Sequence, residues 1–259
     1  MTMPYSTDDV YDHPEIFEIA YSFRDIAAEV ASIVAIIQKH SAIPVRRVLE
    51  VGCGSAPHLE HVTKRGYHYI GLDNNPKMLA FVRHKSAALP DKPELVQASL
   101  TDFQLDRPAD FAMVLLGSLY VESSHELVAH LDCMAKALNP GALYLLDWAI
   151  TIPDTPRVQD HWTCVRNNIS VHVTYETHPV QPVQQVVEET IILDVQRPDA
   201  AYRLTHTSRQ RVIYPQEFRL LIAQHPGFDF VGWWDNWDLN RPLQEVTSIY
   251  RPITVIRRR

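Results

Sequence analysis

The 259-residue chain is short of cysteine, of positive charge and of long apolar runs, and each shortage excludes something. Its three cysteines, Cys53, Cys133 and Cys164, have neither the spacing of a zinc site nor that of a disulfide framework. They read as small packing residues, and no metal site is expected. Lys and Arg total 24 against 31 Asp and Glu, a net charge of −7, which argues against nucleic acid as the substrate. The closing Arg257-Arg258-Arg259 reads as a solvated basic end. No apolar run approaches the roughly 18 residues of a membrane span. No segment near the start has the pattern of a signal peptide. The expectation is a cytoplasmic protein with neither nucleic acid nor membrane as partner. With 46% hydrophobic and 21% charged residues, the composition suits one large globular domain, or one with an insertion.

What is present is a nucleoside-binding pattern. An apolar, strand-like run, Val48-Leu49-Glu50-Val51, ends in Gly52-Cys53-Gly54-Ser55-Ala56. A helical segment leads to a second apolar run, Tyr69-Ile70-Gly71-Leu72, ending at Asp73, nineteen residues past Gly54. This is a β-turn-α-β unit. Gly52 and Gly54 allow a sharp turn and close approach to a ligand. Asp73, at the tip of the second strand, is placed to accept both ribose hydroxyls. A dinucleotide fingerprint needs a third glycine where Pro57 stands, which counts against a nicotinamide cofactor.

The spacing Glu50-x-Gly52-x-Gly54-x-Ala56 resembles motif I of the class I S-adenosylmethionine (SAM)-dependent methyltransferases, with Ala56 in place of the last glycine. The resemblance implies SAM as cofactor, and Glu50 near the turn suits a cationic ligand. It places Gly52, Cys53, Gly54, Asp73 and Asn74 at strand tips around the cofactor, and Met78 against the adenine. Ser99 stands where many such enzymes carry an acid for the adenine amino group; Leu100 follows it, and Asp102 is the alternative. A carbonyl near Leu116 meets the ammonium end. On the N-terminal helix, which also carries Tyr11, Tyr21 is expected over the methyl group and Arg24 on the SAM carboxylate.

The pass along the chain predicts an α/β fold with a Rossmann-like, mostly parallel sheet. Residues 1–11 read as a mobile polar start. One amphipathic helix spans about 14–40, with a break near Ser22. Strands follow at about 46–51, 67–73, 94–98, 110–116 and 142–148, with helices between them and Asn139-Pro140-Gly141 as a breaker. After Thr151 the pattern changes to three β-rich runs, 161–176, 183–195 and 201–213, with alternation at Val171, Val173 and Tyr175 and at Val187, Thr190 and Ile192. A helix at 215–224 and an antiparallel pair, 228–234 and 249–257, close the sheet. The expected division is a SAM-binding domain of 1–150 and 214–259 and an antiparallel β insertion of 151–213, a lid over the substrate. Closure by an antiparallel pair resembles the methyltransferases, and the insertion resembles that of amino-sugar N-methyltransferases.

The expected reaction is therefore transfer of a methyl group to N or O of a small-molecule acceptor. A nicotinamide-dependent oxidoreductase and a non-catalytic SAM-binding protein stand as alternatives. No paired acid and base appears at a telling spacing, so catalysis rests on positioning, with His125 and Tyr120 as candidate bases. Trp148 is a candidate pocket wall. Histidines and aromatics of the insertion (His161, Trp162, His172, Tyr175, His178, Tyr202, His206) are candidates for an aromatic box around a cation. Trp233, Trp234 and Trp237 mark a packed edge or an interface, and the insertion's free strands are candidate surfaces for a homodimer.

Overall fold

A computed structural model describes residues 8–152 and 159–259. The residues 1–7 of the polar start and 153–158 of the insertion lie outside the described residues. The first half runs α1 (Pro14–Ala20), α2 (Ile26–His40), β1 (Arg47–Val51), α3 (Leu59–Thr63), β2 (His68–Asp73), α4 (Pro76–Lys85), β3 (Glu94–Gln97), β4 (Ala109–Val114), α5 (Ser124–Ala137) and β5 (Leu138–Asp147). The second runs β6 (Gln159–Arg166), β7 (Ile169–Gln181), β8 (Val186–Gln196), β9 (Ala201–Arg211), α6 (Pro215–Gln224), β10 (Phe228–Asp235), β11 (Asp238–Pro242) and β12 (Pro252–Arg258).

The β-α alternation produces an eight-stranded sheet in the order β11-β10-β12-β5-β4-β1-β2-β3. Strands β1 to β5 are parallel, and β12 lies antiparallel against β5. Apolar residues of β1 and β4 are buried on both faces, as helix-covered parallel strands require. The closing segment differs from the expected pair: a third strand, β11, pairs with β10 at the sheet edge. Asn139-Pro140-Gly141 does not separate α5 from β5 but opens the strand. Leu138 pairs with Ala109 before a register shift, Gly141 takes a φ of +87°, and Asn139 Nδ2 donates to Asp110 Oδ1 at 2.8 Å. The tripeptide is an irregular start to the strand, where bulges tolerate Pro.

The insertion is a separate antiparallel sheet, β6-β7-β8-β9. It has four strands rather than three runs, because Asn167-Asn168 makes a two-residue hairpin turn with φ of 51° and 63°. The inward phase of β8 also differs from expectation. Glu189, Ile191, Leu193 and Val195 are buried, whereas Val187, Thr190 and Ile192 are half-exposed.

The N-terminal helix breaks as expected, and the break separates two cores. Asp25 caps α2, accepting from Ala28 N at 2.9 Å. Helix α2 packs Val30, Ile33, Ile36 and Ile37 into the core of the large sheet. Helix α1 lays Ile16, Ile19 and Ala20 on the small sheet, against Val171, Val173, Ile191, Leu193 and Leu204. Trp162 Nε1 fastens it by donating to Ala20 O at 2.7 Å. The order extends to the start of the described chain: Val10 is fully buried, and Asp9 accepts from Tyr11 N. Residues 8–11 are thus held, contrary to the expectation of a mobile start. Trp233 and Trp234 are buried in two different cores, and Trp237 packs against the second of them.

Leu193 is fully buried in the core shared by α1 and the small sheet. Leu193→Ala is expected to cost about 2–5 kcal/mol in urea unfolding. A loss below about 1 kcal/mol would show that α1 and the small sheet have no common core.

Candidate active site

A cleft of about 1730 Å³ lies between the C-terminal tips of the parallel strands and the inward face of the small sheet. Ligands of open α/β sheets bind at such tips. The turn after β1 builds one wall. Gly52 and Gly54 have φ of +64° and +52°, and a Cβ on Gly52 would stand 3.2 Å from Ser118 Cβ. Ala56 takes φ 49° without the freedom of glycine, at a cost of about 1–2 kcal/mol. Its methyl group is fully buried, which offsets part of that.

Asp73 ties the turn to β2. Its Oδ2 accepts from Gly54 N at 2.8 Å and its Oδ1 from Asn75 N at 2.9 Å. Burial raises its pKa, and the amide hydrogen bonds oppose that rise. Each oxygen keeps a lone pair for a ligand hydroxyl, so the pair of hydroxyls of a ribose fits the donor set. Met78, Ser99 and Leu100 line the same side of the cleft. Asp102, the alternative to Ser99, does not. Ser99 Oγ and Thr101 Oγ1 share a hydrogen bond at 2.9 Å. Cys53 also lines the cleft, but burial, then Asp73 and Glu50, push its thiol well up, so it stays protonated. The far wall holds two left-handed residues at strand tips, Leu116 (φ 54°) and Trp148 (φ 58°). Leu116 N donates to Asp147 Oδ2 at 2.8 Å.

Behind the turn runs a buried chain of charges. Tyr69 Oη donates to Glu50 Oε2 at 2.6 Å, and His58 bridges Glu50 Oε1 at 2.9 Å to Glu29 Oε2 at 3.0 Å. Arg24 donates to both oxygens of Glu29. Arg251 links Glu29 at 3.1 Å to Asp147, which it grips with two nitrogens at 2.8 and 2.6 Å. Burial works against charge on Glu29, yet His58 and Arg24 hold its pKa down to about 2. Burial works against charge on His58 too, and the two carboxylates outweigh it, raising its pKa.

All twelve residues expected around the cofactor line the cleft, in company with Tyr120. Two of them have other partners than expected. Both Glu50 oxygens are engaged by His58 and Tyr69, so its charge is neutralised behind the turn. Arg24 has two nitrogens on Glu29 rather than on a ligand carboxylate. The two candidate bases need correction. His125 is exposed on the first turn of α5 and lies outside the cleft, which takes Glu122 and Glu126 from that helix start instead. Tyr120 lines the cleft, but burial and then the nearby Tyr11 and Glu189 push its pKa well up. It is a donor, to Glu189 Oε1 at 2.6 Å. Of the insertion's aromatics, Trp162, Tyr175 and His206 face the cleft, while His161, His172, His178 and Tyr202 do not.

Glu189, His58 and Arg251 were not foreseen. Glu189 carries a sequence signal: it is the acid in phase with Ile191, Leu193 and Val195. Arg251 carries none, since its partners lie 104 and 222 residues away, and nothing in the short spacing from Glu50 to His58 shows the bridge to Glu29, 29 residues away.

Comparison with known proteins bears on this cleft. Residues 48–141 match the methyltransferase domain family. A dTDP-3-amino-3,4,6-trideoxy-α-D-glucopyranose N,N-dimethyltransferase of Streptomyces venezuelae is 30% identical over 139 residues. That match covers 52% of this chain and 56% of the relative, so the chain matches little more than half of the relative's length. The fold is similar to Streptomyces venezuelae DesVI, with a TM-score of 0.76 at 20% identity over 96% of this chain and 99% of that one. It is also similar to SAM-bound CalS10, an amino pentose methyltransferase from Micromonospora echinaspora, with a TM-score of 0.73 at 19% identity over both full lengths. A SAM-dependent methyltransferase from Clostridium acetobutylicum gives 0.73 at 14% identity over 96% of each chain.

The loop that carries Leu100 hangs on one buried histidine. His130 Nδ1 donates to Leu100 O at 2.8 Å, and Tyr144 Oη donates to His130 Nε2 at 2.8 Å. Burial lowers its pKa from 6.5 to about 4, although the bond to Leu100 opposes this. The folded state therefore resists a proton that the unfolded chain accepts. Stability is complete above about pH 6.5 and falls as pH drops toward 4, by about 3 kcal/mol over that window. His130→Gln should remove this part of the acid slope in pH-dependent urea unfolding. An unchanged slope would show that His130 is not its source.

Proposed function

We propose that this chain, whose residues 48–141 match a methyltransferase domain, is a class I SAM-dependent methyltransferase that binds SAM in the cleft and methylates an amine nitrogen of a small molecule. One observation carries the reading: within the matched segment, Asp73 accepts from Gly54 N of the glycine turn and from Asn75 N, and it lines the cleft with lone pairs left for hydroxyls. In this reading Asp73 holds the ribose. The turn at Gly52 and Gly54 and the carbonyl of Leu116 meet the amino acid end, and Met78, Ser99, Leu100 and Asn74 surround the base. Tyr21 lies over the cleft, ring to ring with Phe17 at 4.7 Å and Trp162 at 5.6 Å. The match to a methyltransferase domain turns the choice away from the nicotinamide alternative.

SAM when bound supplies a methyl group on a good leaving group, which an acceptor lone pair takes by in-line displacement. The protein's part is orientation and exclusion of water, which can supply much of the acceleration. The small sheet with α1 forms the roof of the cleft and, in this reading, the acceptor side. The name of the Streptomyces venezuelae relative supports an amino sugar as the acceptor class. The net charge of −7 supports a small molecule over nucleic acid. Three free cysteines support a reducing cytoplasm. The edge strands β6 and β9 are the surfaces where a second copy would pair, which sedimentation would detect.

Asp73→Ala is expected to weaken SAM binding about 5- to 150-fold, the equivalent of about 1–3 kcal/mol for lost charge-assisted hydrogen bonds. Calorimetry measures it directly, alongside mass-spectrometric detection of N-methyl products across a panel of amino sugars. Parent affinity in a folded Asp73→Ala protein would contradict the assignment.

A further inference from the structure

Five carboxylates are buried among the described residues: Glu29, Glu50, Asp147, Glu189 and Asp235. Four of them face a cation, respectively Arg24, His58, Arg251 and, for Asp235, Arg241. Glu189 faces only neutral donors. Tyr120 Oη reaches its Oε1 at 2.6 Å, and Tyr175 Oη and Gln210 Nε2 reach its Oε2 at 2.7 and 3.2 Å. A carboxylate offers about four lone-pair sites, so Oε1 has one unused. A buried carboxylate without a countercharge is costly unless something arrives to pair it. Glu189 is 4% exposed and lines the cleft, so what arrives must come through the cleft.

The neighbours make this a receptacle for a cation. Tyr11, Tyr21, Tyr120 and Tyr175 are all raised in pKa, chiefly by burial and in part by the charge of Glu189. They stay protonated and present hydroxyls and ring faces, which suit an ammonium group. His206, which also lines the cleft, packs edge-on against Tyr11 at 4.5 Å, but its Nδ1 is paired with Asp9 at 2.7 Å. Tyr11 also connects the receptacle to the cofactor turn. Its carbonyl accepts from Asn75 at 3.2 Å, and its ring lies 5.3 Å from that of Phe17, the side chain nearest Gly54.

We propose that Glu189 recognises the methyl acceptor, receiving its amine as an ammonium ion among the tyrosines beside the cofactor turn and taking one proton from it, so that the neutral nitrogen's lone pair is free to attack the methyl group. This rests on the cofactor reading above and adds the group that selects amines over alcohols. The test compares two SAM analogues by calorimetry: S-adenosylhomocysteine, which lacks the methyl group, and sinefungin, which carries an amine in that region. Glu189→Gln should lower the preference for sinefungin at least tenfold while S-adenosylhomocysteine binds within twofold of the parent. Tyr175→Phe removes one donor and leaves the charge, so it should keep the preference. It also serves as the test if Glu189→Gln does not fold. An unchanged preference in Glu189→Gln, an equal loss of both ligands, or loss of the preference in Tyr175→Phe would overturn the proposal. Failure of the unaltered protein to bind either analogue would overturn the cofactor reading itself.

Discussion

Glu29 is where the elements around the cleft are joined. Its two oxygens receive Arg24 from the link between α1 and α2, His58 from the start of α3, and Arg251 from the approach to β12. Through His58 it reaches Glu50 on β1 and Tyr69 on β2. Through Arg251 it reaches Asp147 on β5 and so the amide of Leu116 after β4. Three acids, Glu29, Glu50 and Asp147, meet three bases, Arg24, Arg251 and His58. The charges balance only with His58 protonated. Buried ion pairs often add little net stability, because desolvation offsets attraction, but breaking one side leaves a costly charge. The effect here is geometric: strand tips from distant parts of the chain are held at fixed distances behind the cofactor turn.

That anchoring lets the cleft have two walls of different origin. The wall of strand tips belongs to the large sheet and its helices, including α2. The opposite wall belongs to the small sheet and α1, with a core of its own. The break at residues 21–25 lets one amphipathic stretch serve both cores, and it places Tyr21 and Arg24 at the seam. Asp235 steadies the far end of the same seam by accepting from Tyr250 N and Arg251 N at 2.7 and 3.0 Å. The Arg251 guanidinium then lies over the rings of Trp148 and Trp237, at 5.4 and 5.3 Å.

Local features of this design were legible in the sequence and distant ones were not. Glycine spacing, the apolar run of β4, and Asp73 at the end of β2 depend on neighbours a few residues away. The large sheet, the antiparallel insertion and the gathering of the expected site residues along one cleft followed from them. The Asn167-Asn168 turn was also a local signal, hidden inside a continuous β-rich run. Glu189 was hidden by a phase error, since alternation was read on Val187, Thr190 and Ile192 rather than on Ile191, Leu193 and Val195. His125 was placed by chain position alone, which does not tell the exposed face of the first turn of α5 from the face that gives Glu126 to the cleft. Pairings such as Arg251 with Glu29, 222 residues apart, leave no trace in the spacing of either residue.

The balance of the buried charges rests on one proton. Carboxylate acceptors on both ring nitrogens, Glu50 at Nδ1 and Glu29 at Nε2, outweigh burial and the Arg24 guanidinium 3.2 Å from Nε2, so the pKa of His58 is raised above the ordinary 6.5. Nitrogen-15 spectra of the histidine rings in the folded protein at pH 6.5 read this directly. A His58 ring that is predominantly doubly protonated is the predicted result. A neutral ring with a single N–H at that pH would contradict the balanced charge chain and its role in holding the turn.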